Sequence, residues 1–98
     1  MASSPLVSSA FEVWGVVQGV FFRKYTSRRA IELGLVGWVK NTDRGTVQGV
    51  MEGERKKVET MKIWLRTRGS PQSRIDRVEF SNETDIEALQ YEDFSIKK

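Results

Sequence analysis

Apolar and polar positions alternate from Ala10 to Val17. Phe11, Val13, Gly15 and Val17 fall on one side, and Glu12, Trp14 and Val16 on the other, which is the two-residue period of a strand. Trp14 and Val16 make the second side partly apolar too, as expected of a central strand. The period then changes. Phe22, Thr26, Ala30 and Leu33 recur at helical spacing, with Arg23, Lys24, Arg28 and Arg29 mostly off that stripe. Gly34 follows at the C-cap position, so the first helix is predicted from about Phe22 to Leu33. The segments "LVGWVKN" (35–41) and "TVQGVMEG" (46–53) read as two strands joined by the turn residues "TDRG" (42–45), hence a hairpin. A second helix is predicted from about Glu54 to Thr67, with Val58, Met61 and Leu65 as its buried stripe. Gly69, Ser70 and Pro71 end it. "RIDRVEF" (74–80) is the fourth strand, "SNETDIEALQYED" (81–93) an acidic loop, and "FSIKK" (94–98) a short last strand.

The order β-α-β-β-α-β plus a short β predicts an α+β fold of the ferredoxin-like split βαβ type. Two helices lie on one face of an antiparallel sheet of four to five strands. Residues 1–9 are small and polar and read as a flexible tail; residues 10–98 form one domain.

Composition narrows the chemistry more than the fold. The 98 residues include no cysteine and no histidine. Disulfides, thiolate metal sites, cysteine nucleophiles, histidine bases and phosphohistidine intermediates are thereby excluded. Catalysis, if present, falls to Arg, Lys, Asn, carboxylates, hydroxyls or backbone. The net charge of +3 suits a small anion better than a nucleic acid, which calls for a denser basic stripe. No apolar run approaches the ~20 residues of a membrane span. "MASSPLVSSA" lacks the basic and hydrophobic parts of a signal peptide, so a cytoplasmic protein is expected; a monomer is the simplest expectation for its state of assembly. Glu83, Asp85, Glu87, Glu92 and Asp93 lack the spacing of a calcium loop. They read as solvated, and neither a metal nor a cofactor is expected. Arg55, Lys56, Lys57, Lys62, Arg66 and Arg68 read as the solvated outer face of the second helix.

Between the first strand and the first helix lies "VQGVFFRKYT" (17–26). Backbone N–H groups at a helix start lack internal partners. In a tight turn they form a nest for anions, favoured further by the helix dipole. Gly19 permits a close bend, and Arg23 offers a planar donor fork matched to phosphate oxygens. The segment is no P-loop, because it lacks both the spacing and the Lys-Ser/Thr ending. A bland reading, an ordinary pre-helical glycine and a solvated arginine, fits these residues too.

"GWVKNTDRGTVQGVMEG" (37–53), with glycines at 37, 45, 49 and 53 and Asn41 at a strand end, is the second cluster. Together with "GVVQGVFFRKYT" (15–26) it resembles the paired signatures of the acylphosphatase family, in their order and separation. The resemblance extends from about residue 10 to the C-terminus. It implies the same α/β sandwich and an enzyme that hydrolyses acyl phosphates to carboxylate and inorganic phosphate. It implies Arg23 as catalytic arginine, Asn41 as catalytic asparagine, and Gln18, Gly19, Val20, Phe21 and Phe22, with Arg23, as the phosphate-binding segment. Gly15, Thr42 and Thr46 are expected in support; the threonines flank the turn beside Asn41. Lys40 alternates with Asn41 and is expected to point away. Phe21, Trp38 and Tyr25 are candidates for the mouth of the site, and Phe22 for the core.

The parts suit the reaction, since phosphoryl transfer needs positioning and charge stabilisation more than covalent chemistry. A carboxylate leaving group needs little protonation, so the missing histidine is no obstacle. Two rivals stand beside this reading. An RNA-recognition module shares the element order but needs aromatics on strand 3, where "TVQGVMEG" has none; Trp14 is its only support. A catalytically silent anion-binding domain would keep the cradle and could do without Asn41.

Overall fold

A computed structural model describes residues 5–97. The elements run β1 (Leu6–Val16), α1 (Phe22–Glu32), β2 (Val36–Asn41), β3 (Val47–Glu54), α2 (Arg55–Thr67), β4 (Arg74–Ile86) and β5 (Phe94–Lys97). The strands form one five-stranded sheet in the order β4-β1-β3-β2-β5. β1 is flanked by β3 and β4, so it is central as its two-sided apolar pattern requires. The sheet is antiparallel except at one edge, where β5 pairs parallel to β2. The expected antiparallel sheet is therefore mixed, and the ferredoxin-like order of elements is present in full.

β1 buries Val7, Ser9, Phe11 and Val13 and leaves the intervening side chains partly exposed. The helices pack on the buried face. Val58, Met61 and Leu65 of α2 are fully buried, which stabilises the fold by roughly 2 kcal/mol for each side chain removed from water. Phe22, 1% exposed, joins the core and packs its ring against Trp64 of α2 at a centroid distance of 6.1 Å. At the end of α1 the Gly34 N–H donates to Ile31 O (3.0 Å) and the Leu35 N–H to Ala30 O (2.9 Å). These are the paired bonds of a Schellman cap.

Two expectations need correction. Residues 6–9 are not a tail: Leu6, Val7 and Ser8 pair with both Glu54–Glu52 of β3 and Ile86–Thr84 of β4. Pro5 is tied down as well, its carbonyl accepting from the Arg55 N–H at 2.8 Å, and the rest of the expected tail, residues 1–4, lies outside the described residues. Nor is the acidic segment a loop throughout, because β4 continues to Ile86. Asn82, at φ 52, sits at a register shift where β4 passes the bend opposite Ser8 and Ala10. Glu83 and Asp85 are not merely solvated. They pair with Lys62 and Arg55 of α2. Beyond β4, the chain crosses the open face of the sheet. There the Gln90 N–H donates to Oε1 of Glu52 at 2.7 Å, and Glu52 is 0% exposed. Among the described residues, no helix is long and apolar enough to cross a membrane.

Candidate active site

The turn from β1 into α1 leaves a set of donors unspent. Gly19 has φ 76 and Phe21 has φ 61, so the backbone enters the left-handed region twice within three residues. Nothing lies within 4 Å of a Cβ built on Gly19; the glycine is required by its φ and not by crowding. Phe21 holds the same conformation with a full side chain, at a cost of roughly 1 kcal/mol. It is the N-cap of α1 and makes no side-chain capping bond, and the first turn carries no acidic residue. The first helical hydrogen bond runs from the Tyr25 N–H to Phe21 O at 3.1 Å. Among the described residues, the N–H groups of Gly19 to Lys24 find no backbone acceptor. A helix start with open donors and no internal carboxylate is an anion site in waiting.

Arg23, on the first turn of α1, opens into a cavity of about 270 Å³ lined by Val17, Gly19, Phe21, Phe22, Arg23, Lys24, Asn41 and Ile96. Its Nη1 donates to Lys97 O of β5 at 3.3 Å. Asn41, at the end of β2, belongs to the same cavity, and its Oδ1 is buried with no hydrogen-bond partner. An acceptor so placed is open to a donor that enters the cavity. Five of the expected site residues thus surround one cavity: Gly19, Phe21, Phe22, Arg23 and Asn41.

The remaining expected residues stand around it. The Gln18 side-chain amide donates to Thr42 O (2.9 Å) and Thr46 O (2.8 Å). It faces the hairpin, which leaves Gln18 only its backbone N–H for an anion. Thr42 Oγ1 lies 2.6 Å from Thr46 Oγ1, and Thr46 Oγ1 donates to Oε2 of Glu12 at 2.6 Å. Arg44 Nη2 donates to the same carboxylate oxygen at 2.6 Å. The Thr46 hydrogen bond has the largest effect on the Glu12 carboxyl and lowers its pKa. Burial works the other way, and the Arg44 bond and charge help leave it below 4.5. Gly15 sits at a register shift against β4, where a Cβ would lie 2.0 Å from Arg74 O. Val20 lines a neighbouring cavity with Phe21, Tyr25, Pro71 and Gln72.

Of the aromatics expected at the mouth, Phe21 is there, 69% exposed. Tyr25 lies in the neighbouring cavity. Trp38 does not line the site. Its Nε1 donates to the Tyr91 hydroxyl at 3.3 Å, and it lines a separate cavity with Gln48 and Val50. Lys40 leans over the Trp38 ring and is absent from the Asn41 cavity, as the alternation requires. Trp14, the sole support for an RNA-binding surface, carries the Arg77 guanidinium over its ring at 4.3 Å. Val17, Lys24 and Ile96 were not singled out by sequence. The contact of Ile96 follows from the parallel register Val39↔Ile96, for which the local sequence holds no signal.

A family model described as acylphosphatase matches residues 9–96. Acylphosphatase-1 of Mus musculus is 60% identical over 93 residues, covering 95% of this chain and 94% of the mouse protein. Among solved structures, an acylphosphatase from Bacillus subtilis is similar at TM-score 0.85 and 31% identity, over 94% of this chain and 99% of that one. An acylphosphatase from Coxiella burnetii is similar at TM-score 0.83 and 37% identity, over 94% and 93%.

Proposed function

The chain belongs to the acylphosphatase family and hydrolyses acyl phosphates, and we propose that Arg23 and the backbone amides from Gln18 to Phe22 hold the phosphoryl group while Asn41 aims the attacking water. The observation that carries this reading is the shared cavity, which brings the Arg23 fork, the open helix start and the unpartnered Asn41 Oδ1 together.

In this scheme the phosphoryl oxygens take the N–H groups of the turn and the guanidinium of Arg23. Those donors are fixed before the substrate arrives and strengthen as charge shifts in the transition state. Asn41 Oδ1 accepts a hydrogen bond from water and sets its oxygen in line with the scissile P–O bond. The water oxygen bonds to phosphorus. The bond to the acyl oxygen breaks, and its electron pair leaves on the carboxylate. A water proton passes to a phosphoryl oxygen, since no side chain in the cavity is a better base at neutral pH. Inorganic phosphate remains. Gly15, Thr42, Thr46 and Gln18 hold the two halves of the site in register.

The reaction on this account needs neither metal nor cofactor, and the protein works as a cytoplasmic monomer with no nucleic-acid or membrane partner. Benzoyl phosphate hydrolysis in EDTA, followed by the loss of its absorbance, tests the scheme. Rapid hydrolysis is expected. Activity that disappears with EDTA and returns with a divalent cation would overturn the metal-free mechanism.

A further inference from the structure

Phe21 has a use for its ring that the phosphoryl reading leaves open. Its side chain is 69% exposed, more than Val16, Ile31, Ile63, Leu89 or Ile96. The left-handed backbone at φ 61 holds it outward from the turn, in a conformation that L side chains adopt reluctantly. A strained, exposed aromatic at the lip of a cavity is a poor choice for stability alone. Phe21 also lines two cavities. On one side is the cavity of Arg23 and Asn41. The other holds about 240 Å³ between Val20, Phe21, Tyr25, Pro71 and Gln72, and contains no ionisable side chain except the Tyr25 phenol. Such a volume takes an aromatic ring, since a cavity of ~150 Å³ already holds benzene.

We propose that the second cavity binds the acyl group of the substrate, with the Phe21 ring as the platform on which an aryl or other apolar acyl group lies. The proposal rests on the reading of the first cavity as the phosphoryl site. An acyl phosphate carries a charged phosphoryl end and an acyl end one bridging oxygen away. With the phosphoryl group on the open amides, the acyl group extends past Phe21 into the neighbouring cavity. Lys24 Nζ lies 5.9 Å from the Phe21 centroid and lines the phosphoryl cavity. Lys24 thus stands with Arg23 on one side of Phe21, while Val20, Tyr25, Pro71 and Gln72 form the other, with the Arg28 guanidinium 5.6 Å over the Tyr25 ring. The substrate class favoured is acyl phosphates whose acyl part is flat and apolar, over those with short acyl groups.

The platform contacts the acyl group equally in the ground and transition states, so it acts on KM more than on kcat. The experiment compares benzoyl phosphate with acetyl phosphate, whose leaving carboxylates are of similar basicity, in the wild type, Phe21→Gly and Tyr25→Ala. Glycine suits φ 61 and removes the ring while keeping the turn. The expected result is a rise of about ten-fold in the ratio of the benzoyl to the acetyl KM in Phe21→Gly, with a smaller rise in the same direction in Tyr25→Ala. An unchanged ratio in a folded, active Phe21→Gly overturns the platform and leaves the phosphoryl site standing. If that variant does not fold, an unchanged ratio in Tyr25→Ala overturns the platform equally. A folded wild type that hydrolyses neither compound overturns the phosphoryl site and the platform with it.

Discussion

The side-chain amide nitrogen of Gln18 donates to the carbonyl of Thr46 at 2.8 Å and, with its second hydrogen, to the carbonyl of Thr42 at 2.9 Å. One side chain thereby fastens the turn that presents the open amides to the hairpin that presents Asn41. Gln18→Leu keeps the bulk and removes both bonds. It is expected to cost about 1–3 kcal/mol in stability and ten-fold or more in kcat, because small misplacements of positioned groups are costly. Urea denaturation and steady-state kinetics on the same preparation check both. A kcat equal to wild type would mean that the two halves keep their register without it.

Arg23→Gln and Asn41→Ala separate holding from aiming. Each is expected to lower kcat by about 100-fold or more, Arg23→Gln by removing a transition-state donor and Asn41→Ala by removing the acceptor that positions the water. Arg23→Gln should also weaken inhibition by inorganic phosphate, while Asn41→Ala should leave it near wild type. Phosphate inhibition constants for both variants decide whether the roles are assigned correctly.

Glu12 makes the hairpin sensitive to acid. Its carboxyl is held below 4.5 by the Thr46 hydroxyl first, against burial, with Arg44 assisting. A carboxyl lowered by folding contributes stability in full above its unfolded value, and loses it as pH falls through the folded value. Thr46→Val removes the donor, so it should lower stability at pH 7 and flatten the fall in stability as pH drops below 4.5. Lys62 works in the opposite direction. Burial pulls its ammonium down, yet the bonds to Glu83 and Glu59 prevail and raise it above 10.5. Its contribution is full below that value and fades only as pH rises beyond it. Melting temperatures of wild type and Thr46→Val across the acid range test the Glu12 assignment; parallel curves would refute it.

Gly15 is irreplaceable on steric grounds. A Cβ 2.0 Å from Arg74 O, on a residue at φ 133, cannot fit without moving β4. Gly15→Ala should cost roughly 3 kcal/mol, combining overpacking with an unfavourable dihedral. A midpoint of chemical denaturation within experimental error of wild type would show that the strand shifts freely.

What the sequence made legible follows from periodicity and signature. The alternation around Phe11 and Val13 and the stripe of Val58, Met61 and Leu65 report burial on one face, and all five side chains are in the core. The second half of β4 gave no such signal. It is an edge segment whose Ser81 to Asp85 side chains are exposed, and edge strands often carry charge. Its partner, the start of β1, was hidden by small polar residues. Ser8 and Ser9 look like a tail until β3 and β4 take up their backbone groups. Arg23 and Asn41 were singled out through motifs, but the bridge between their two segments was not. A glutamine amide spanning two loops and a left-handed phenylalanine are products of tertiary context, and residue type alone does not announce them.

The parallel pairing of β5 with β2 has a kinetic consequence. Ile96 and the Lys97 carbonyl complete the wall beside Arg23, yet they join the sheet by a contact that spans more than half the chain. Distant pairings such as this one and that of β1 with β4 slow folding. In refolding, the Phe22–Trp64 packing can return with the helices while the cavity still lacks its edge. Turnover therefore recovers only once β5 is in place, and a lag behind the recovery of helical circular dichroism would measure the closure of that edge.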